Sequence, residues 1–87
     1  SYALLTHIIA QLTGLKVGEF VHTIGDAHIY LDHLDQVTEM LTREPYCAPT
    51  LLMPEFIILE EVLELSVDDF QLISYKYHPT IKMNMAV

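Results

Sequence analysis

The sequence predicts an α+β fold in which two helices pack on a mixed β-sheet. Apolar residues recur at helical spacing over 1–13 and again over 31–43. Strand-like runs occupy 19–30, 50–53, 56–59 and 70–75. The two kinds of segment do not alternate as a βαβ repeat would require, which favours α+β over α/β. There is no internal repeat and no low-complexity tract, so residues 1–87 read as one domain at most.

Each element has a local reason. In the first helix, Leu4, Leu5, Ile8, Ile9 and Leu12 fall on one face, Ala3 and Ala10 widen it, and Gly14 is placed to end it. A turn at Leu15-Lys16-Val17-Gly18 leads into a strand over 19–30. Phe20, His22 and Ile24 take one face of that strand and Val21 and Thr23 the other, with Gly25 as an interruption. The second helix, 31–43, turns Leu34, Val37 and Leu41 inward and Asp32, Asp35, Glu39 and Arg43 outward. Glu39 and Arg43 form an i,i+4 pair. Pro45 and Pro49 bracket a loop. A strand near 50–53, the β-rich run Phe56-Ile57-Ile58-Leu59, an acidic turn-like segment (Glu60, Glu61, Glu64, Asp68, Asp69) and a strand from Phe70 to Tyr75 follow.

Composition narrows the function classes. The chain is 52% hydrophobic with a mean hydropathy of +0.33, rich for a free-standing domain of 87 residues. Part of that apolar surface is expected to meet a partner, either more of the same protein or another subunit. The start at Ser1, without an initiator Met, is what a fragment or processed chain would show. A net charge of −8, from 4 basic and 12 acidic residues, opposes electrostatic binding to nucleic acid or anionic membranes. Lys16, Arg43, Lys76 and Lys82 are scattered, so a phosphate would need cations from outside the chain. One cysteine excludes an internal disulfide and fits a reducing, cytoplasmic setting. No apolar run is long enough to span a membrane, and no basic segment precedes an apolar one as in a signal peptide.

Three constellations bear on chemistry. His22, Asp26, His28, Asp32 and His33 hold the right atoms for zinc, but they straddle a change of element near Tyr30 that makes the side chains diverge, so no metal is expected. Cys47 lies in a proline-bracketed loop with no cation nearer than Arg43, the setting of an inert thiol. His28 and Tyr30 stand two apart in a strand-like run and so share a face. An imidazole that donates and accepts, beside a phenol hydroxyl, suits the grip of one sugar hydroxyl. A lone His-x-Tyr is a weak signal, and on these residues alone a histidine bonded to backbone beside a packing tyrosine is the favoured reading.

Longer segments reverse that preference. Ser1-Tyr2-Ala3-Leu4-Leu5-Thr6, Val17-Gly18-Glu19-Phe20-Val21-His22-Thr23, Gly25-Asp26-Ala27-His28-Ile29-Tyr30, His33, Arg43-Glu44-Pro45, Asp69-Phe70, His78-Pro79-Thr80-Ile81-Lys82-Met83 and Ala86-Val87 together resemble the C-terminal part of thymidylate synthase, in order and at suitable spacing. The resemblance implies a C-terminal portion of that fold and a methyltransferase converting dUMP to dTMP with 5,10-methylenetetrahydrofolate as co-substrate. It implies that His28 and Tyr30, with Ile29 between them, contact the ribose of dUMP. It further implies that Ala86 and Val87 belong to a lid that contacts the folate. The partners implied are dUMP, folate, the remainder of the synthase and a second subunit of a homodimer.

The family's nucleophilic cysteine, its phosphate-binding arginines, its pyrimidine-reading asparagine and its folate-binding aspartate lie upstream of this segment. By the resemblance, no catalytic residue falls within it, and the chain alone is expected to be inactive. The alternative is a non-catalytic module that pairs with a full-length synthase. Departures from the family pattern are also visible. Tyr46 stands where a second arginine is usual, Ser74 stands for the glycine of Gly-Tyr-x-Pro-His-Pro, and 46–68 match poorly.

Overall fold

Gly14 ends the first helix, α1 (Tyr2–Thr13), with φ 69°, a left-handed conformation that costs glycine little. The Leu15 N–H bonds the Ala10 carbonyl at 2.9 Å and the Gly14 N–H bonds that of Gln11 at 3.4 Å. These are the two reverse bonds of a Schellman cap, which satisfy carbonyls the helix leaves open. The expected helix and its expected stop are both present in the computed structural model, which describes residues 1–85.

The described chain divides into two compact units. The first joins Ser1–Thr23 to Leu51–Ile73. Leu4, Ile8 and Leu12 of α1 are half-buried, as are Leu51, Met53, Val62, Leu65 and Phe70, and Phe56 is the buried core residue at 4% exposure. The Gln11 amide donates to the Pro54 carbonyl at 2.9 Å, tying α1 to the segment after β1. Strands β1 (Thr50–Leu52) and β2 (Gln71–Ile73) form a two-stranded antiparallel sheet, where strands were expected near 50–53 and 70–75.

Two expected strands are absent among the described residues. Residues 16–29 make no backbone–backbone hydrogen bond. A strand exists through its ladder, and a solitary alternating run has nothing to pair with. The run Phe56-Ile57-Ile58-Leu59 also fails as a strand: it bends at Ile57 and Ile58 and enters α3 (Leu59–Leu63). Leu59, Glu60, Glu61 and Leu63 have high helix propensity, and the two glutamates sit in the first turn, where the helix dipole favours negative charge. A 3₁₀ turn follows at Val67–Asp69, with the Ser66 N–H donating to the Asp69 carboxylate at 2.8 Å.

The second unit comprises Ile24–Thr50 and the described residues from Ser74 onward. The expected helix over 31–43 divides into a 3₁₀ turn (Leu31–His33) and α2 (Leu34–Leu41). Of its apolar stripe only Val37 is half-buried; Leu34 is 50% and Leu41 75% exposed. Polar side chains do the joining instead. Arg43 Nη1 donates to the Pro79 carbonyl at 2.6 Å while Nη2 bonds Glu39 at 3.2 Å. His78 Nε2 donates to the Glu44 carbonyl at 2.8 Å, and its ring stacks on Tyr46 at 4.5 Å.

The accessible surface is 8062 Å². Two separate compact bodies of about 5 kDa each would together expose about 6,300 Å². The surplus exceeds any arrangement of two self-sufficient units, and its members include Val21, Leu31, Ile57 and Val67. Among the described residues no helix is long and apolar enough to cross a membrane.

Ser74, directly after β2, adopts φ 59° and is the non-glycine residue held in the left-handed region. It stands where the resemblance leads one to expect a glycine. Ser74→Gly should relieve this strain and stabilise the fold by about 1 kcal/mol, read as a higher urea midpoint. A lower midpoint would show that the serine is not strained.

Candidate functional site

A turn at Gly25-Asp26 sets up the candidate pair. His28 Nδ1–H donates to the Asp26 carbonyl at 3.1 Å, since a carbonyl oxygen only accepts. In the neutral imidazole that leaves Nε2 as a free acceptor. The His28 side chain is 61% exposed. Its ring meets Tyr30 edge-on, with centroids 5.6 Å apart at 64°. The two side chains expected to share a face are therefore in contact, although no ladder holds them.

Tyr30 is extended (φ −66°, ψ 142°), and its carbonyl accepts the His33 N–H at 3.0 Å, opening the 3₁₀ turn. That turn carries the His33 ring back against Tyr30, with centroids 5.7 Å apart at 79°. His33 Nε2–H donates to the Asn84 carbonyl at 2.6 Å. Asp32 Oδ2 lies 3.8 Å from the same nitrogen, beyond hydrogen-bond reach. The result is a row of three rings, His28, Tyr30 and His33, ending on the backbone of residue 84. Tyr30 and His28 are open to solvent, whereas His33 is largely covered, its side chain 14% exposed.

Ile29 is placed between the pair with its own side chain exposed. Ala86 and Val87 lie outside the described residues. Among the described residues, no three His, Cys, Asp or Glu side chains converge as metal ligands, and Cys47 is exposed. Sequence reasoning assigned no role to the contact between His33 and Asn84. The i,i+3 spacing of Tyr30 and His33 across a helix start was the available signal. The partner 51 residues away gave none.

The arrangement offers one acceptor, His28 Nε2, beside one hydroxyl, Tyr30 Oη, which both donates and accepts. Such a pair binds a ligand hydroxyl from two sides. It contains no nucleophile and no cation.

Comparisons place this geometry in context. A family model described as thymidylate synthase matches residues 1–87. Human thymidylate synthase is 51% identical over 87 residues, which is all of this chain and 27% of the human protein. The solved structure of thermostable thymidylate synthase A from Bacillus subtilis superposes with a TM-score of 0.86 at 35% identity, covering 99% of this chain and 30% of that one. The chain thus spans less than a third of the length of these relatives.

The hydrogen bonds require opposite tautomers in neighbouring histidines. For the neutral imidazoles, ¹⁵N shifts should report the proton on Nδ1 in His28 and on Nε2 in His33. The same tautomer at both would contradict the two bonds.

Proposed function

The chain belongs to the thymidylate synthase family, and from that premise we propose that it forms the C-terminal part of an enzyme that methylates dUMP to dTMP. In this reading His28 and Tyr30 grip the ribose hydroxyl of dUMP. The observation that carries it is the ring contact between them, with His28 Nδ1 engaged by the Asp26 carbonyl and Nε2 and the phenol hydroxyl making no hydrogen bond among the described residues. Ile29 contributes backbone between them, and Ala86 and Val87 form the lid over the folate. The co-substrate, 5,10-methylenetetrahydrofolate, supplies the one-carbon unit and the hydride. No metal takes part.

The contribution of this segment is positional. Fixing the sugar fixes the base, and a base held in register with a nucleophile reacts faster than one that wanders. A closing tail excludes water from the reaction. The nucleophile and the phosphate-binding cations come from the remainder of the enzyme and from a second subunit of a homodimer. This accounts for the scarcity of basic residues here. The chain alone turns over no substrate, because positioning without a nucleophile forms no covalent intermediate. The single exposed thiol fits a cytoplasmic setting.

The surplus exposed surface also supports a second reading, a non-catalytic module that docks on a full-length synthase. The isolated chain should then co-elute with intact enzyme; separate elution removes this reading and leaves the first.

For the first reading, His28→Ala and Tyr30→Phe in the complete enzyme should each weaken dUMP binding by about 1–3 kcal/mol, the cost of an unpaired buried group. That is roughly a five- to 150-fold rise in Kd by calorimetry. Unchanged affinity and turnover in the double variant would remove the assignment.

A further inference from the structure

We infer that His33 is a positioning residue that ties the start of the C-terminal tail to the sugar-binding pair. The inference deepens the reading of His28 and Tyr30 as the ribose clamp and rests on it for its functional meaning. Its structural basis is independent. His33 is the largely covered member of the ring row, packed edge-on against Tyr30, and its Nε2–H donates to the Asn84 carbonyl at 2.6 Å.

The geometry allows no other donor role for that nitrogen. A carbonyl accepts only, so Nε2 carries a proton in either the neutral tautomer or the imidazolium. The Asp32 carboxylate, 3.8 Å away, does not compete. The His33 main-chain N–H is held by the Tyr30 carbonyl, which fixes the base of the side chain. Backbone, ring face and ring nitrogen are therefore all engaged, and the ring has little freedom to reorient without releasing residue 84. Arg43 and His78 hold residues 78 and 79 of the same segment further upstream. His33 is the last side-chain anchor before the chain end among the described residues. His33 therefore couples the position of Asn84 to that of Tyr30.

The test uses three variants in the complete synthase. His33→Phe keeps the ring against Tyr30 and removes the donor. His33→Asn keeps polarity, but its amide stops short of the Asn84 carbonyl. His33→Gln restores an amide donor near the position of Nε2. The primary readout is release of residues 85–87 by carboxypeptidase, with and without dUMP. The second is KM for methylenetetrahydrofolate against Kd for dUMP.

Phe and Asn should speed release about tenfold, diminish the protection that dUMP confers, and raise the folate KM about tenfold. The dUMP Kd should stay within about threefold, and Gln should recover most of each effect. Wild-type release rates in both Phe and Asn variants would overturn the inference. So would a Gln variant as defective as Phe, because the donor would then be immaterial. If Phe does not fold, Asn against Gln decides alone. If the His28 and Tyr30 variants bind dUMP normally, the clamp reading fails, and the release rates without dUMP still judge the tether.

Discussion

Three side-chain donors hold the second unit together. His33, Arg43 and His78 each give a proton to a main-chain carbonyl 34 to 51 residues away in sequence, at 2.6 to 2.8 Å. Among the described residues this unit has no fully buried side chain, and its half-buried ones include His33, Arg43 and His78 themselves. Each such bond is worth about 0.5–1.5 kcal/mol net, and more where the donor is charged, as in Arg43. What they give above all is direction. A hydrogen bond weakens steeply as its donor angle closes, so three of them together constrain the path of residues 78–84 against the turn and helix that carry the candidate site. The position of Tyr30 relative to the tail follows from that path.

Legibility in the sequence divides along the range of the determining contacts. Helix α1 was readable because its apolar spacing and Gly14 act within a few residues. The Glu39–Arg43 pair was readable for the same reason. Residues 19–30 alternate as a strand should, yet a ladder needs backbone pairing with a second segment, and among the described residues 19–29 make no such bond. The run at 56–59 misled through side-chain type, since isoleucine and phenylalanine favour strands. The glutamates after it decided for a helix start, with Phe56 turned into the core. In the site, the proximity of His28 and Tyr30 was legible from their spacing. The tie from His33 to Asn84 was not, because nothing local in either residue points to the other.

The departures from the family pattern have physical consequences that can be named. Tyr46, in place of the usual arginine, presents a flat ring on which His78 stacks at an interplanar angle of 17°. A stacked imidazole aligned on Tyr46 keeps Nε2 aimed at the Glu44 carbonyl, so the substitution has a packing role even though it removes a cation. Ser74 shows the opposite. Its left-handed backbone is the one glycine adopts freely, and the serine side chain makes no hydrogen bond among the described residues that would offset it. Tyr46 is engaged by the His78 ring, whereas Ser74 stores strain.

The candidate clamp is built from short-range contacts, and this bears on how the chain relates to a larger enzyme. The tautomer of His28 is set by Asp26, two residues away, and the Tyr30 backbone by the turn that follows it. Neither depends on the backbone of 16–29 finding a partner. The exposed apolar surface, by contrast, lies on elements whose stability needs such a partner: the unpaired segment with Phe20, Val21 and Ile24, and the helix face with Leu34 and Leu41. A surface of this kind favours contact with a body that supplies strands and apolar cover. Attachment would then add rigidity around a pair of side chains already in contact, and the entropy of aligning them would be paid before any sugar arrives.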